Sequence, residues 1–100
     1  MSKSKTIIKA NSKEVRDPKP FHPGTVLADY YMTEMGLSQT KLAELIGCSH
    51  RKINEVVNGK RSVTPAFALD LERVLGTSAE MWVSLQGAYD LWVERQKTVA

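Results

Sequence analysis

The sequence predicts an all-α fold of five helices, preceded by a flexible arm. Two observations support this. Apolar residues recur at helical spacing from residue 26 to residue 93, and no strand pattern competes with them. A glycine or an N-capping residue separates each apolar segment from the next. We therefore predict an arm over residues 1–20 and one folded domain over residues 21–100.

The arm is the most basic part of the chain. Residues 1–20 carry 6 basic and 2 acidic side chains, whereas the remainder carries 8 basic and 9 acidic ones. The Ser-, Lys- and Asn-rich composition of the arm buries little apolar surface, which predicts flexibility, and a solubilising tail is an equally good interpretation. Because the folded domain is not basic overall, an anionic partner must be bound by a local cluster of basic residues.

The first three helices have clear start and stop signals. The first opens at His22-Pro23-Gly24, where proline is tolerated in the first turn, and ends at Gly36. Its apolar residues at helical spacing are Val26, Leu27, Tyr30 and Tyr31. The second helix is predicted over Gln39–Ile46 and the third over His50–Asn58. Their predicted N-caps are Ser38 and Ser49.

The last two helices are marked in the same way. Thr64-Pro65 opens the fourth helix, which is predicted to end at Leu75. Thr77 is the predicted N-cap of the fifth helix, with Glu80 completing a capping box. The fifth helix is predicted to run to about Arg95.

Residues 39–58 carry the strongest pattern in the chain. Ala43 is small where two helices would cross, Gly47 can adopt the positive φ of a tight turn, and Cys48 is a small apolar side chain behind that turn. Ile53 and Val56 would hold the second helix of the pair against the first. Together these residues predict a helix-turn-helix, and the alternative is a helical hairpin packed for stability alone.

A helix-turn-helix places its second helix in the major groove of DNA, with the N-terminal residues at the base edges. The predicted base-reading residues are His50, Arg51, Lys52, Asn54 and Glu55. Arg51 can bind guanine through O6 and N7, Asn54 can bind adenine, and Glu55 can accept from cytosine N4. Glu55 could instead pair with Arg51 or Lys52, and the whole set could be an ordinary solvated face.

Further polar residues flank this helix at positions suited to the DNA backbone. A helix N-terminus and basic side chains both favour phosphate. The predicted phosphate-binding residues are Ser38, Gln39, Thr40, Lys60 and Arg61. Arg51, Lys52, Lys60 and Arg61 place four basic residues within eleven positions, which is the local clustering that nucleic-acid binding needs.

The fifth helix has more apolar residues than one face can hold. One stripe contains Met81, Leu85, Ala88 and Trp92, and the adjoining stripe contains Trp82, Tyr89 and Val93. One stripe can close the core, and an exposed second stripe would be typical of an interface. We therefore predict a homodimer, unless both stripes pack within the domain. The predicted interface residues are Trp82, Leu85, Tyr89 and Trp92.

The sequence gives little support to an enzymatic, metal-binding or membrane function. The two histidines, His22 and His50, have no neighbouring thiol or carboxylate at the spacing of a catalytic pair or a metal set, so we expect no enzyme, no metal and no cofactor. The single Cys48 forms no intrachain disulfide, which suits a reducing cytoplasm. No apolar run reaches the length of a membrane span, so we expect a cytoplasmic protein without a membrane partner.

From His22 to about Trp92, roughly 70 residues, the sequence resembles the HigA antitoxins of the phage-repressor-like (XRE) family. The matching segments are His22-Pro23-Gly24, Leu37-Ser38-Gln39, Asn58-Gly59-Lys60-Arg61, Ala68-Leu69, Leu75-Gly76-Thr77-Ser78-Ala79-Glu80-Met81-Trp82 and Leu85-Gln86-Gly87-Ala88-Tyr89-Asp90-Leu91-Trp92. The family usually has Val where this chain has Cys48, and residues 1–20 lie outside the match.

The resemblance implies an antitoxin of a type II toxin–antitoxin pair. Such a protein binds and silences a HigB-like toxin, an mRNA endonuclease similar to RelE, and represses its own operon, usually as a dimer on a palindrome. Two alternatives remain open. One is a stand-alone repressor without a toxin, and the other is a protein-interaction module that no longer binds DNA.

Overall fold

The computed structural model describes residues 18–99, and every regular element within this range is a helix. Helix α1 consists of three contiguous stretches, Pro23–Val26, Leu27–Met32 and Thr33–Met35. The other helices are α2 (Gln39–Ile46), α3 (His50–Val57), α4 (Pro65–Leu75) and α5 (Ala79–Val99). The predicted all-α, five-helix fold is confirmed, and no helix of the described range is long and apolar enough to cross a membrane. The predicted arm lies outside the described residues except for positions 18–20.

The first turn of α1 is packed against the end of α3. His22 is the N-cap, because its Nδ1 accepts a hydrogen bond from the Gly24 amide at 2.9 Å. Pro23 follows in the first helical position, as predicted. A Cβ on residue 24 would collide with the carbonyl oxygen of Val56, so only glycine fits there. The segment His22-Pro23-Gly24 therefore serves both as a helix start and as a contact point for α3.

The middle of α1, Leu27–Met32, is a π-helix rather than the α-helix that the sequence pattern predicts. In an α-helix, residues five apart lie about 140° apart around the axis, whereas the i→i+5 hydrogen bonds of a π-helix bring them onto one face. This widening buries both Leu27 and Met32. It also leaves Tyr30 exposed, although the pattern placed it among the apolar residues of the helix. The Thr33 hydroxyl donates to the Ala28 carbonyl at 3.0 Å and so stabilises the π stretch.

The core lies where α1, α4 and α5 meet the helix-turn-helix. Its largest fully buried side chains are Trp82, Phe67, Leu27, Leu42, Ile53, Leu71 and Val56. Gln86 of α5 is also buried, and its Oε1 accepts from the Val63 amide at 2.8 Å while its Nε2 donates to Asp90 at 2.9 Å. These bonds satisfy the buried amide, and they fix the α3–α4 loop to α5.

The prediction that Trp82 contacts a dimer partner is wrong. Its side chain is fully buried, and its indole N–H donates to the Thr77 hydroxyl at 2.7 Å. Thr77 is therefore occupied by the tryptophan, and the N-cap of α5 is Ser78, whose hydroxyl accepts from the Met81 amide at 3.1 Å. Glu80 accepts from the Ser78 hydroxyl instead of completing the predicted capping box.

The other predicted interface residues of α5 are half-buried on the side of the helix that faces the body. Leu85 packs against the core, and the Tyr89 ring meets His22 edge-on at 5.0 Å between centroids. Lys19 lies 5.5 Å from the ring centroid of Trp92, so the segment before α1 covers part of that residue. Helix α5 continues to Val99, beyond the predicted end near Arg95.

The His22 cap predicts that the fold loses stability in mild acid. Burial lowers the pKa of His22 from its ordinary value of 6.5. The negative charge of Asp90 favours the protonated form and offsets this effect only in part. A proton on Nδ1 would also remove the acceptor that the Gly24 amide uses. Because the unfolded chain then binds the proton more readily, the free energy of unfolding should fall as the pH drops below about 6.5. Urea unfolding at pH 7.5 and at pH 5.5 measures the difference.

His22→Asn keeps a capping oxygen but does not titrate, so its stability should depend less on pH over this interval. His50→Asn removes an exposed imidazole and should retain the pH dependence of the unmodified protein. Equal pH dependence in His22→Asn and in the unmodified protein would contradict this role of His22.

Candidate nucleic-acid interface

Helices α2 and α3 meet in the predicted helix-turn-helix. Gly47 has a φ of 89°, a left-handed conformation that favours glycine. This conformation lets both the Gly47 and the Cys48 amides donate to the Ala43 carbonyl, at 2.8 Å and 3.0 Å. The hydroxyls of Ser38 and Ser49 cap α2 and α3 as predicted. The turn thus ends one helix and starts the next within three residues.

Helix α3 has one buried face and one exposed face. Ile53 and Val56 are fully buried against the core. His50, Arg51 and Asn54 are exposed along the opposite side. Three of the five predicted base-reading residues therefore form an accessible row that begins at the helix N-terminus, which is the part that enters the major groove in this motif.

The carboxylate of Glu55 joins two arginines. Its Oε2 accepts from Arg51 Nε at 3.0 Å, and its Oε1 accepts from Arg61 Nε at 2.9 Å. Arg61 Nη2 lies 2.8 Å from the same Oε1. Hydrogen bonds from Arg61 and then Arg51 hold the pKa of Glu55 below its ordinary value of 4.5. We call Arg51, Glu55 and Arg61 the Glu55 cluster. Both oxygens already accept from arginines, so the predicted contact from Glu55 to cytosine would have to use the remaining acceptor site of Oε2 or displace an arginine.

Asn54 contacts the first residue of α2. Its Nδ2 donates to Gln39 Oε1 at 3.1 Å. Gln39, predicted to bind phosphate, therefore lies beside the predicted base-reading residues, and the two side-chain amides are joined by this hydrogen bond. The pair leaves Asn54 Oδ1 and Gln39 Nε2 as an acceptor and a donor, which is the combination that adenine N6 and N7 require.

Lys52 is directed back onto the domain. Its side chain is half-buried, and its Nζ lies 4.7 Å from the ring centroid of Phe67, a distance typical of a cation–π contact. This placement contradicts the prediction that Lys52 reads bases, because its ammonium group is engaged with α4. The placement instead gives Lys52 a part in fixing α3 to the core.

The predicted phosphate-binding residues differ in how far they are engaged. Thr40 and Lys60 are exposed. The Ser38 oxygen accepts from the Lys41 amide at 3.0 Å, and its own O–H can still donate. Arg61 belongs to the Glu55 cluster. The N-terminus of α2, an eight-residue helix, therefore combines Ser38, Thr40 and backbone amides in the arrangement that favours a phosphate.

Sequence reasoning missed the contacts between distant positions. The Arg51–Glu55 spacing of four residues on a helix is a recognisable signal for an ion pair. Arg61 follows a loop and Gln39 belongs to the preceding helix, and no local spacing pairs them with Glu55 or Asn54. In the part of the chain that the structure describes, no three His, Cys, Asp or Glu residues are grouped so that they could hold a metal ion.

Comparison with known proteins agrees with this geometry. Residues 29–82 match the family named Helix-turn-helix. Virulence-associated protein I of Dichelobacter nodosus is 41% identical over 75 residues, which are 75% of this chain and 69% of that protein. Antitoxin HigA-1 of Vibrio cholerae is 30% identical over 79 residues, which are 79% of this chain and 74% of that protein. Across the curated relatives, the match spans 66% to 80% of their length.

One of the solved structures that this chain resembles is a complex with DNA. The structure of Pseudomonas aeruginosa antitoxin HigA with the higBA promoter superposes with a TM-score of 0.73 at 31% identity, over 80% of this chain and 90% of that chain. The family match, over residues 29–82, includes α2, the turn and α3. The chain therefore belongs to the phage-repressor-like helix-turn-helix family of antitoxins and DNA-binding regulators, the family that includes HigA.

Proposed function

We propose that this chain is an antitoxin that represses its own operon by binding operator DNA as a homodimer, and that it neutralises a HigB-like, RelE-like mRNA endonuclease. It acts without cofactor or metal, in the cytoplasm. The observation that carries the proposal is the exposed Arg51 at the start of α3, within a helix-turn-helix whose HigA relative was solved with its promoter.

In the proposed mode of DNA binding, α3 contacts the bases and the residues that flank it contact the phosphates. Helix α3 enters the major groove, where Arg51 binds guanine and the Asn54–Gln39 pair binds adenine. The N-terminus of α2 and the exposed Lys60 bind phosphates on either side. Phosphate contacts set the position of the protein on the duplex, whereas the base contacts give the sequence preference.

Arg51→Ala should weaken binding to the promoter of the chain's own gene by about 1–3 kcal/mol and relax the preference at one base pair. Lys60→Ala should weaken binding to all duplexes alike and reduce the slope of log K against log salt by about one. Fluorescence anisotropy with the promoter duplex and a scrambled duplex, over a salt series, measures both. Unchanged promoter affinity in Arg51→Ala would show that another face reads the DNA.

The proposed dimer interface is centred on Gly87 of α5. Among residues 18–99, a Cβ at this position would meet no atom outside the adjoining turns of α5 within 4 Å, so packing in this range does not require glycine, although glycine in a helix interior costs about 1 kcal/mol. Val83 and Leu91, one turn to either side on the same stripe, are 43% and 54% exposed. Leu69 of α4 is exposed and lines a groove with Val83. A second copy crossing at Gly87 would cover this surface and pair two recognition helices for two half-sites.

Gly87→Leu should convert the proposed dimer into a monomer. The new side chain blocks a close helix crossing, and within the monomer it has open space and a better helix propensity. In sedimentation at micromolar concentration, the unmodified protein should show about twice the chain mass of 11.2 kDa and the variant the chain mass itself. Gln96→Leu adds the same side chain at another exposed position of α5 and should remain dimeric. A dimeric Gly87→Leu would move the interface elsewhere.

The outer face of α1 is the surface best suited to a basic toxin. Asp29, Tyr30, Glu34 and Met35 are exposed there, and α1 contains no basic residue. None of the ion pairs among the described residues includes Asp29 or Glu34. An RNase that approaches RNA must be basic, and an acidic face with exposed apolar side chains is complementary to it.

Co-expression with the neighbouring toxin-like gene tests neutralisation. This chain should restore growth, and Asp29→Lys or Glu34→Lys should abolish the rescue without weakening promoter binding, because either change repels a basic partner. Glu94→Lys reverses a charge near the end of α5 and should leave the rescue intact. If the neighbouring gene is harmless when expressed alone, or if this chain cannot relieve its toxicity, the stand-alone repressor is the remaining interpretation.

A further inference from the structure

The three members of the Glu55 cluster differ in how far they are exposed. The side chain of Glu55 is 26% exposed, whereas those of Arg61 and Arg51 are 47% and 85% exposed. Arg61 contacts Oε1 from the loop side through two nitrogen atoms, and Arg51 contacts Oε2 through Nε. Glu55, the least exposed of the three side chains, therefore connects the loop arginine to the guanidinium of Arg51.

We propose that Glu55 is a positioning residue that orients Arg51 for guanine and thereby sets the sequence preference of the protein. The proposal rests on the proposed DNA binding. It differs from direct reading of cytosine by Glu55, because here the carboxylate never contacts a base.

The geometry explains how one carboxylate could orient the arginine. The Arg51–Glu55 contact uses Nε and leaves the four N–H groups of the two Nη atoms. The two Nη atoms are the end of the fork that can bind guanine O6 and N7 together. An arginine whose Nε is held by a carboxylate loses fewer conformations on binding than a free one, and pre-organised side chains bind at a lower entropic cost.

The charge of Glu55 adds a second effect. A freely moving Arg51 would bind phosphate oxygens on any duplex, because phosphate contacts carry no sequence information. The Glu55 carboxylate competes with phosphate for the same guanidinium and repels the DNA backbone. Binding away from the preferred site should therefore be weakened more than binding at that site, and specificity is the difference between the two.

The experiment begins with a preferred duplex, selected by the unmodified protein from a library with a randomised centre. Affinities are then measured for this duplex, for one in which the G·C pair sensitive to Arg51→Ala is changed to A·T, and for a scrambled one. Glu55→Gln should lower the preference for G·C by about tenfold, the range of one bidentate contact, and should bind the scrambled duplex more tightly. Glu44→Gln removes the same charge from α2 and should keep the preference.

The double variant separates positioning from direct reading. If Glu55 acts through Arg51, then Glu55→Gln should cause no further loss of preference in the Arg51→Ala background. A change of preference at a different base pair, additive with Arg51→Ala, would show direct reading by Glu55 and overturn the proposal. Full retention of the G·C preference in Glu55→Gln would overturn it as well.

A measurement without DNA distinguishes failure of this proposal from failure of the proposed function. In a nitrogen-15 NMR spectrum, the Arg51 Nε–H signal should be sharp in the unmodified protein and broadened by solvent exchange in Glu55→Gln. Identical signals in the two proteins would overturn the positioning role even if the promoter is bound. Selection of no preferred duplex by the unmodified protein would instead overturn the proposed operator binding, and with it the role of Glu55 in specificity.

Discussion

The close approach between the first turn of α1 and the end of α3 determines how the rest of the domain is arranged. Gly24 has no side chain to separate α1 from the Val56 carbonyl, and His22 covers the same junction from its N-cap position. The His22 ring lies between Gly59, just beyond α3, and Tyr89 of α5. One short segment thus fixes the recognition helix against two other helices. A larger residue at position 24 would displace α3 itself, so this contact controls the geometry of the DNA-binding face.

The buried side of α3 is held by this contact, and two further contacts hold the side chains of its exposed side. Lys52 lies over Phe67, and the Glu55 cluster connects the helix to the loop that follows it. That loop is itself fixed to α5 by the bond between the Val63 amide and Gln86. The position of Arg51 therefore depends on a chain of contacts that reaches α5, the proposed dimer helix.

The parts of the fold that depend on neighbouring residues could be predicted from the sequence. Ser38 and Ser49 cap the helices that they precede, and Gly47 forms the turn between them. The errors arose where several local arrangements fit the same sequence signals. The Thr77 hydroxyl accepts from the indole of Trp82 while Ser78 caps α5, and the period of an ordinary α-helix could not reveal the π stretch of α1. The residues of the candidate site could be named from the sequence. The ion pair between Arg61 and Glu55 became visible only in the structure.

Exposed apolar residues alone would not identify an interface on this molecule. A domain of this size has a large surface for its volume, and apolar side chains are left exposed on most of its helices. Gly87 is different, because it weakens α5 and no group within the described chain requires it. At Gly24 the same residue type is explained by a backbone contact inside the domain. By the same reasoning, the proposed dimer would account for Gly87 through the backbone of a second copy, and the stripe from Val83 to Leu91 gives the direction along which that copy would lie.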